Sequence, residues 1–359
     1  MADGNSIHTE QWIKGLSYNS ILEIYLLTMS PSGTRAGIKN NPFINKIYEL
    51  PIKKIRERGG NFAYLNNILA IRRIVKELKP DIISTIYLTS YGLIGSFVKD
   101  KALLSHFMIG SDIMVTPFRN VMYRLITQFA LSRGDLFVSA SYTLTNKLNQ
   151  LFNVDEDRLL TQQYGVEDAI LNYPEQKKKF DFISNRAWVP NSNIPFVLDI
   201  ISNIGQHSTF AIIGSDGALA ARILGRLNDL PSAVHLGKLP YMENIDAVAK
   251  SRFYISMTSS DGASLSLMEA MAVGSVPVVS NIEPNREWVE DGVNGYLVDI
   301  ADLKIAIKKF NDILNTPESV LERMRDMNRN IILQRGSLTV NMRKFVNKLL
   351  QLAGEKEAI

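Results

Sequence analysis

Residues 258–299 read TSSDGASLSLMEAMAVGSVPVVSNIEPNREWVEDGVNGYLVD, and the fold is decided there. An apolar strand, Phe253–Met257, runs into the polar turn Ser259-Ser260-Asp261-Gly262. Ser264 is then placed to cap a helix that ends at Gly274. Between Leu265 and Val273 only Ser266 and Glu269 interrupt an apolar run, so the helix is expected to be buried nearly all round. A carboxylate inside such a helix is costly unless it is hydrogen-bonded or paired. Helical side chains lean toward the helix N-terminus, which aims Glu269 at the Asp261 turn. The same end offers free N–H groups and the positive end of the helix dipole, a site for phosphate. The plainer alternative is that Glu269 caps a neighbouring loop and Gly262 only permits a turn.

Pro277–Ser280 forms a second buried strand whose end leads into Asn285-Arg286-Glu287. Two strand ends then face one helix N-terminus. In open parallel sheets, ligands bind beyond the carboxyl ends of the strands.

The run D-G-x-S-L-S-L-M-E-A-M-A-x-G-x-x-P-V-V-S, followed by N-R-E-W and D-G-V-N-G-Y-L-V, resembles the donor-site signature of the large, mostly retaining glycosyltransferase family 4, the "glycosyl transferases group 1" type. The resemblance implies an α/β fold of the GT-B kind. Two Rossmann-like domains would face each other across a cleft, with a C-terminal helix crossing back to the first domain. The implied domains are 1–165 on the acceptor side, 166–336 for a nucleotide-sugar donor, and 337–359 for the returning helix. The family commonly places two glutamates eight residues apart; here the first is Asp261 and the second Glu269, so the charge is kept with a shorter reach. By resemblance Asp261 holds hydroxyls of the donor sugar, Glu269 the nucleotide ribose, and the Ser264–Leu265 backbone the diphosphate. Asn285 and Glu287 belong to the same donor set.

Composition narrows the chemistry. The 359 residues suit two domains with a sizeable core each, and 46% hydrophobic with 21% charged residues is an ordinary globular balance. There is no cysteine, which excludes disulfides, thiolate nucleophiles and Cys-ligated zinc. The four histidines, His8, His106, His207 and His235, show no metal-ligand spacing, and no metal site is expected. No apolar run reaches the roughly 20 residues of a membrane span, and no leader pattern opens the chain. A cytoplasmic protein is the expectation. The net charge of +4 divides unevenly, +6 over residues 1–165 and −2 over the remainder. Part of the excess is Lys53, Lys54, Arg56 and Arg58 beside Ile52 and Ile55, which suits either an anionic membrane surface or a solvated charged face. Nucleic acid is not expected, because no aromatic-interleaved basic stripe accompanies the charge.

The first half alternates strand and helix. Strands are expected at 22–28, 46–50, 81–86, 102–107 and 136–139, with helices at 8–16, 62–78, 89–98, 119–132 and 142–152. Met1-Ala2-Asp3-Gly4-Asn5-Ser6 reads as the loop that follows a first strand, so that strand is expected to be missing and its neighbours to lack a ladder partner. By resemblance Asn5 and Ser6 contribute to the interdomain cleft. Tyr87 heads a second strand-end loop, and Ile109-Gly110-Ser111-Asp112 is a third. The G-S-D segment resembles the family loop that faces the donor sugar, where a histidine often precedes the glycine; Ile109 stands there instead. Asp112 becomes the polar candidate for that catalytic position, with Tyr87 and Ser111 on the acceptor side. A turn or N-cap Asp is the alternative for Asp112. Asp155-Glu156-Asp157 mimics a metal-binding D-x-D but lies in a short helix-to-strand loop, and that reading is rejected.

In the second half a strand at 180–184 is followed by Asn185-Arg186, where the resemblance places a phosphate-binding arginine. The family's companion lysine, six residues on, is Ser192 here. A planar, always-charged fork suits a diphosphate, and a surface ion pair is the alternative for Arg186. Gly214 opens the turn Gly214-Ser215-Asp216-Gly217, similar to the family's glycine turn near the nucleotide. Strands at 210–213 and 233–239 and a helix at 242–249 precede the organising stretch. Helices at 303–315, 317–333 and 338–352 complete the chain, the last with Val340, Phe345, Val346, Leu349 and Leu350 on its apolar side.

The function implied is transfer of a sugar, with retention and without metal, from a nucleotide-sugar donor to a glycan, lipid-linked or protein acceptor in cell-surface polysaccharide or glycoconjugate assembly. The nucleotide sugar is a substrate, and no cofactor is expected. The expected location is cytoplasmic, peripheral at the inner face of the cell membrane. Two rivals stand beside it: a sugar-nucleotide epimerase on the same fold, and a catalytically weak or inactive protein that binds a nucleotide sugar or a partner without turnover.

Overall fold

The computed structural model describes all residues except 20, 51, 53–61, 164, 205–207, 263 and 358–359, with the backbone alone at 62 and 355–357. The basic cluster Lys53, Lys54, Arg56 and Arg58 lies outside the described residues. The chain divides into two compact units, Met1–Tyr164 with Leu338–Ile359, and Gly165–Ser337.

In the first unit, strands β1 (Ile24–Thr28) and β2 (Ile44–Glu49) form one parallel pair. Strands β3 (Ile82–Ile86), β4 (Leu103–Met108), β5 (Leu136–Ser139) and β6 (Leu159–Thr161) form a separate parallel sheet in that order. The two sheets meet through two residues. The Met1 amine donates to the Ser84 carbonyl at 2.6 Å, while the Ile86 N–H donates to Met1 O and the Ala2 N–H to Leu27 O, both at 3.1 Å. Burial lowers the Met1 amine to a pKa of about 5, so it donates as a neutral group near neutral pH. Met1 and Ala2 thus bridge β1 and β3 near their carboxyl ends. Between the two strands lies an apolar cavity of about 200 Å³, lined by Leu26, Val75, Ile83 and Phe345 among others.

The final helix, Leu338–Glu357, belongs to this first unit. It packs on the helix Ile7–Leu16: the Trp12 ring lies 4.7 Å from Phe345 and 4.2 Å from Phe107. A Cβ at Gly15 would stand 2.3 Å from Met342, so a glycine permits this approach. Phe345, Val346 and Leu349 are buried, but Val340 and Leu350 are exposed, which narrows the expected apolar stripe. Two expected helices are also more segmented than the sequence pattern suggested. A 3-10 stretch, Phe62–Asn67, precedes Ile68–Leu78, and a π-turn, Leu88–Gly92, precedes Leu93–Val98.

The second unit is one six-stranded parallel sheet. Strands β7 (Phe180–Ser184), β8 (Phe210–Ile213), β9 (Ala233–Gly237), β10 (Ser251–Ser256), β11 (Val276–Ser280) and β12 (Tyr296–Val298) are ordered β9-β8-β7-β10-β11-β12. Counted from β7, this is the 3-2-1-4-5-6 arrangement of a doubly wound fold, whose order reverses between β7 and β10. The strands are apolar on both sides because both faces are covered. Phe182, Phe253 and Ile255 point into one core, and Ile183 and Tyr254 into the other. Phe182 stacks on Phe210 at 4.8 Å and on Phe253 at 5.1 Å. Each such ring contributes roughly 1.5–3 kcal/mol by burial, which fixes the register of the strands whose ends carry the site.

Candidate active site

Arg186 follows β7 and Asp261 follows β10, so the two residues rise from the adjacent strands at which the sheet order reverses. Their side chains meet, with Arg186 Nη2 3.1 Å from Asp261 Oδ2. Arg186 Nη1 donates to the Ser264 and Ser266 hydroxyls, each at 3.1 Å. The Tyr254 hydroxyl, rising from β10, donates to Ser266 at 2.8 Å. The guanidinium is therefore anchored over the first turn of the helix Leu265–Ala272. Its Nε is buried and has no hydrogen-bond partner among the described residues.

Ser264 caps that helix, its hydroxyl accepting from the Leu267 N–H at 3.3 Å. The N–H groups of Leu265 and Ser266 have no acceptor among the described residues. Two free donors, the dipole of the helix and an arginine fork make an anion-binding corner. Asn191 holds the approach to it: its Oδ1 accepts from the Ser260 N–H and from both the Ser259 and Ser260 hydroxyls. Gly262 turns back, donating its N–H to Asp261 Oδ1 at 2.9 Å.

Glu269 lies one turn further along the helix, buried at 6% exposure. The Tyr241 hydroxyl donates to its Oε1 at 2.6 Å, leaving Oε2 without a partner among the described residues. Burial raises the carboxyl to a pKa of about 7; the Tyr241 hydrogen bond pulls the other way, and Glu167 adds a smaller upward push. The buried Tyr254 phenol is raised by burial, lowered by Arg186 and raised by both Asp261 and Glu269, so all three charged groups act on one strand residue. A carboxylate with one oxygen fixed and one open suits a diol.

The glycine turn after β8 is shaped by Trp188, which is fully buried. Gly214 has φ +137°, and a Cβ there would stand 2.5 Å from the indole nitrogen; Gly217, at φ +124°, would meet the Trp188 carbonyl at 2.5 Å. His235 Nε2 lies 2.6 Å from the Gly214 carbonyl. Ser192 is buried within the 3-10 turn Pro190–Ser192. Asn285 is buried too, and its amide donates to Ser280 O at 2.8 Å; Ser280 in turn donates to Thr258 O at 2.6 Å. Asn285 thus fastens the ends of β10 and β11. Glu287 is half-buried, and its carbonyl accepts from Arg335.

In the first unit, the expected residues again sit at strand ends. Gly4 N–H donates to Thr28 Oγ1 at 2.8 Å, which holds the turn carrying exposed Asn5 and half-buried Ser6 against the end of β1. Ser6 caps the following helix. Tyr87 follows β3 with φ +79°, a strained conformation for an aromatic residue, and its hydroxyl lies 3.2 Å from Ser111 and 3.3 Å from Thr116. Asp112 departs from its expected place. Its side chain is fully buried, and its oxygens accept from the Leu88 and Gly110 N–H groups, each at 3.0 Å. It clamps the loops after β3 and β4 together, as a turn Asp does, and its carboxylate is not presented to a sugar. Tyr87 and Ser111 are the polar groups that this clamp positions.

Sequence reasoning missed Tyr241, Tyr254 and Asn191. Tyr254 sits inside an apolar strand and Tyr241 opens a surface helix, and nothing in their spacing marks either as a partner of Glu269 or Ser266. Ser266 carried a signal, being one of two polar residues in a buried helix. Among the described residues no group of three or more His, Asp or Glu side chains is arranged to hold a metal ion. Among the described residues no helix is long and apolar enough to cross a membrane.

Residues 1–141 match the "Glycosyl transferase 4-like" family model and residues 167–333 match "Glycosyl transferases group 1". An uncharacterized glycosyltransferase of Methanocaldococcus jannaschii is 25% identical over 322 residues, covering 88% of this chain and 86% of its own. Among solved structures, sucrose-phosphate synthase from Thermosynechococcus elongatus superimposes with a TM-score of 0.80 at 14% identity, covering 99% of this chain and 95% of that one. Anabaena HepE, solved with UDP and glucose, gives a TM-score of 0.79 at 12% identity, covering 97% of each chain. At such identities the likeness speaks for the fold, and the fold is GT-B. With both halves matched by the paired family models, the chain belongs to the glycosyl transferases group 1 family.

Proposed function

We propose that the chain transfers a sugar, with retention of anomeric configuration and without a metal, from a nucleoside-diphosphate sugar to a hydroxyl of a glycan, lipid-linked or protein acceptor. Cell-surface polysaccharide or glycoconjugate assembly is the proposed setting. The observation that carries this reading is the Arg186 fork, anchored by Ser264, Ser266 and Asp261 beside the free N–H groups of Leu265 and Ser266. As the sugar–oxygen bond breaks, negative charge gathers on the leaving diphosphate. Arg186 and the two N–H groups are aimed where that charge develops, which is the electrostatic task such a reaction demands. A diphosphate competes with Asp261 for Arg186, and Asp261 is thereby released to accept hydrogen bonds from sugar hydroxyls. Glu269 Oε2 accepts from the ribose diol while Tyr241 holds Oε1. Anabaena HepE, with UDP bound, supports a uridine nucleotide as the first donor to try.

Saturation-transfer NMR with UDP-, ADP- and GDP-sugars tests the donor site, and proton NMR of the product's anomeric coupling tests retention. Selective binding that is lost in Glu269→Ala is expected. A folded wild-type protein that binds none of the panel overturns the donor assignment and leaves a partner protein without turnover. An inverted product overturns retention alone.

A further inference from the structure

The helix Val121–Arg133 has an unusual open face. It buries Thr127, Ala130 and Leu131. Toward solvent it presents Val121 at 74% exposure, Leu125 at 59% and Met122, and the preceding turn adds Phe118 at 59%, with Met114 and Val115 beyond. Phe118, Val121, Met122 and Leu125 stand at i, i+3, i+4 and i+7, one stripe along a helix and its entry turn. Phe97, also exposed, extends the surface by packing on Phe129 with ring centroids 4.9 Å apart. The nearby helix Ile68–Leu78 behaves differently: apart from Leu69, it shows Arg72, Arg73, Lys76 and Glu77 to water. That is the usual amphipathic pattern.

Charge tells which occupant fits. From Ile113 to Gly134 the sequence contains no Asp, Glu or Lys and three arginines. Arg119 and Arg124 flank the stripe, are exposed, and make no ion pair among the described residues. A protein partner or a second copy would bring both signs of charge to such a face. Large apolar side chains flanked along their own helix by arginines, with no carboxylate from Ile113 to Gly134, match a lipid interface, where apolar groups enter the headgroup–acyl boundary and long arginine stems carry their heads to phosphate. We propose that Phe118, Val121, Met122 and Leu125 dock the protein on an anionic bilayer, with Arg119 and Arg124 engaging the lipid phosphates. The proposal does not depend on the donor chemistry.

The test is vesicle flotation of the full chain, with 70% phosphatidylcholine and 30% phosphatidylglycerol against phosphatidylcholine alone, vesicle compositions set roughly to mimic an anionic leaflet. Wild type is expected to float with the anionic vesicles and to lose binding as salt rises. Replacing both arginines, Arg119→Gln with Arg124→Gln, lowers partitioning about thirtyfold. The pair Val121→Ser and Leu125→Ser lowers it at least about tenfold, with the unfolding midpoint kept because both side chains are exposed. Neutralising Lys53, Lys54, Arg56 and Arg58 leaves most of the binding in place. Equal binding to both vesicles, or binding unchanged in these two pairs, overturns the proposal. So does a wild type that ignores vesicles but forms a dimer by light scattering which Val121→Ser with Leu125→Ser dissolves.

Discussion

Asp112 and Glu269 are both buried carboxylates, one in each unit, and burial raises the pKa of both. Their surroundings suit them to opposite roles. Asp112 is fully enclosed and spends its oxygens on the backbone N–H groups of Leu88 and Gly110. Glu269 has one oxygen held by the Tyr241 hydroxyl and the other open, one turn from an arginine-lined helix end. Burial alone therefore does not mark a functional acid. A carboxylate satisfied by backbone fixes loops, whereas one held from a single side by a phenol is free to meet a ligand.

The sharpest way to break this contrast is to remove the charge that organises the open site. Arg186→Ala is expected to lower kcat/KM by about a hundredfold to a thousandfold, with the unfolding midpoint shifted little, since the fork is tied to side chains and not to the core. Steady-state kinetics with urea unfolding reads both. Asp112→Ala should reverse that pattern. It leaves two buried N–H groups unpaired and costs about 2–4 kcal/mol of stability, while donor affinity of the folded fraction holds. Equal loss of stability in the two variants would erase the distinction.

Glu269→Gln sharpens the comparison through pH. In the wild type the folded carboxyl titrates at about 7 against 4.5 for the ordinary value, so between those pH values the folded protein keeps a proton that the unfolded chain has released. Stability therefore falls as pH rises through this window, by on the order of 3 kcal/mol relative to the glutamine variant. Ribose hydroxyls favour the ionised form, so donor affinity should tighten about tenfold from roughly pH 6 to 8 in the wild type and stay flat in Glu269→Gln. Calorimetric titration and urea melts at several pH values read the two effects. The smallest expected change is Ser264→Ala, which removes the helix cap and one anchor of Arg186 and costs about 1 kcal/mol.

Much of this architecture was legible in the sequence because burial on both faces of a parallel sheet leaves uninterrupted apolar strands. Phe180–Ser184 and Phe210–Ile213 stand where they were expected. The Ser264 cap and the turn at Asp261 were readable for the same reason, as polar residues placed where an apolar pattern breaks. Side-chain partnerships were not legible. Tyr241 reaches Glu269 from another helix, and Asp112 folds onto N–H groups 24 residues away in sequence, at Leu88. Such pairings depend on how strand ends are juxtaposed, which local periodicity does not encode. The bridge from Met1 and Ala2 to β1 and β3 was hidden likewise, because it rests on backbone groups that any residue carries.

Isothermal titration of UDP, ADP and GDP into wild type, Arg186→Ala and Asp112→Asn tests the central claim most directly. One nucleoside diphosphate should bind the wild type, weaken about a hundredfold in Arg186→Ala, and keep its affinity in folded Asp112→Asn. Binding that survives Arg186→Ala unchanged, or that fails for all three nucleotides with folded wild type, would contradict the account.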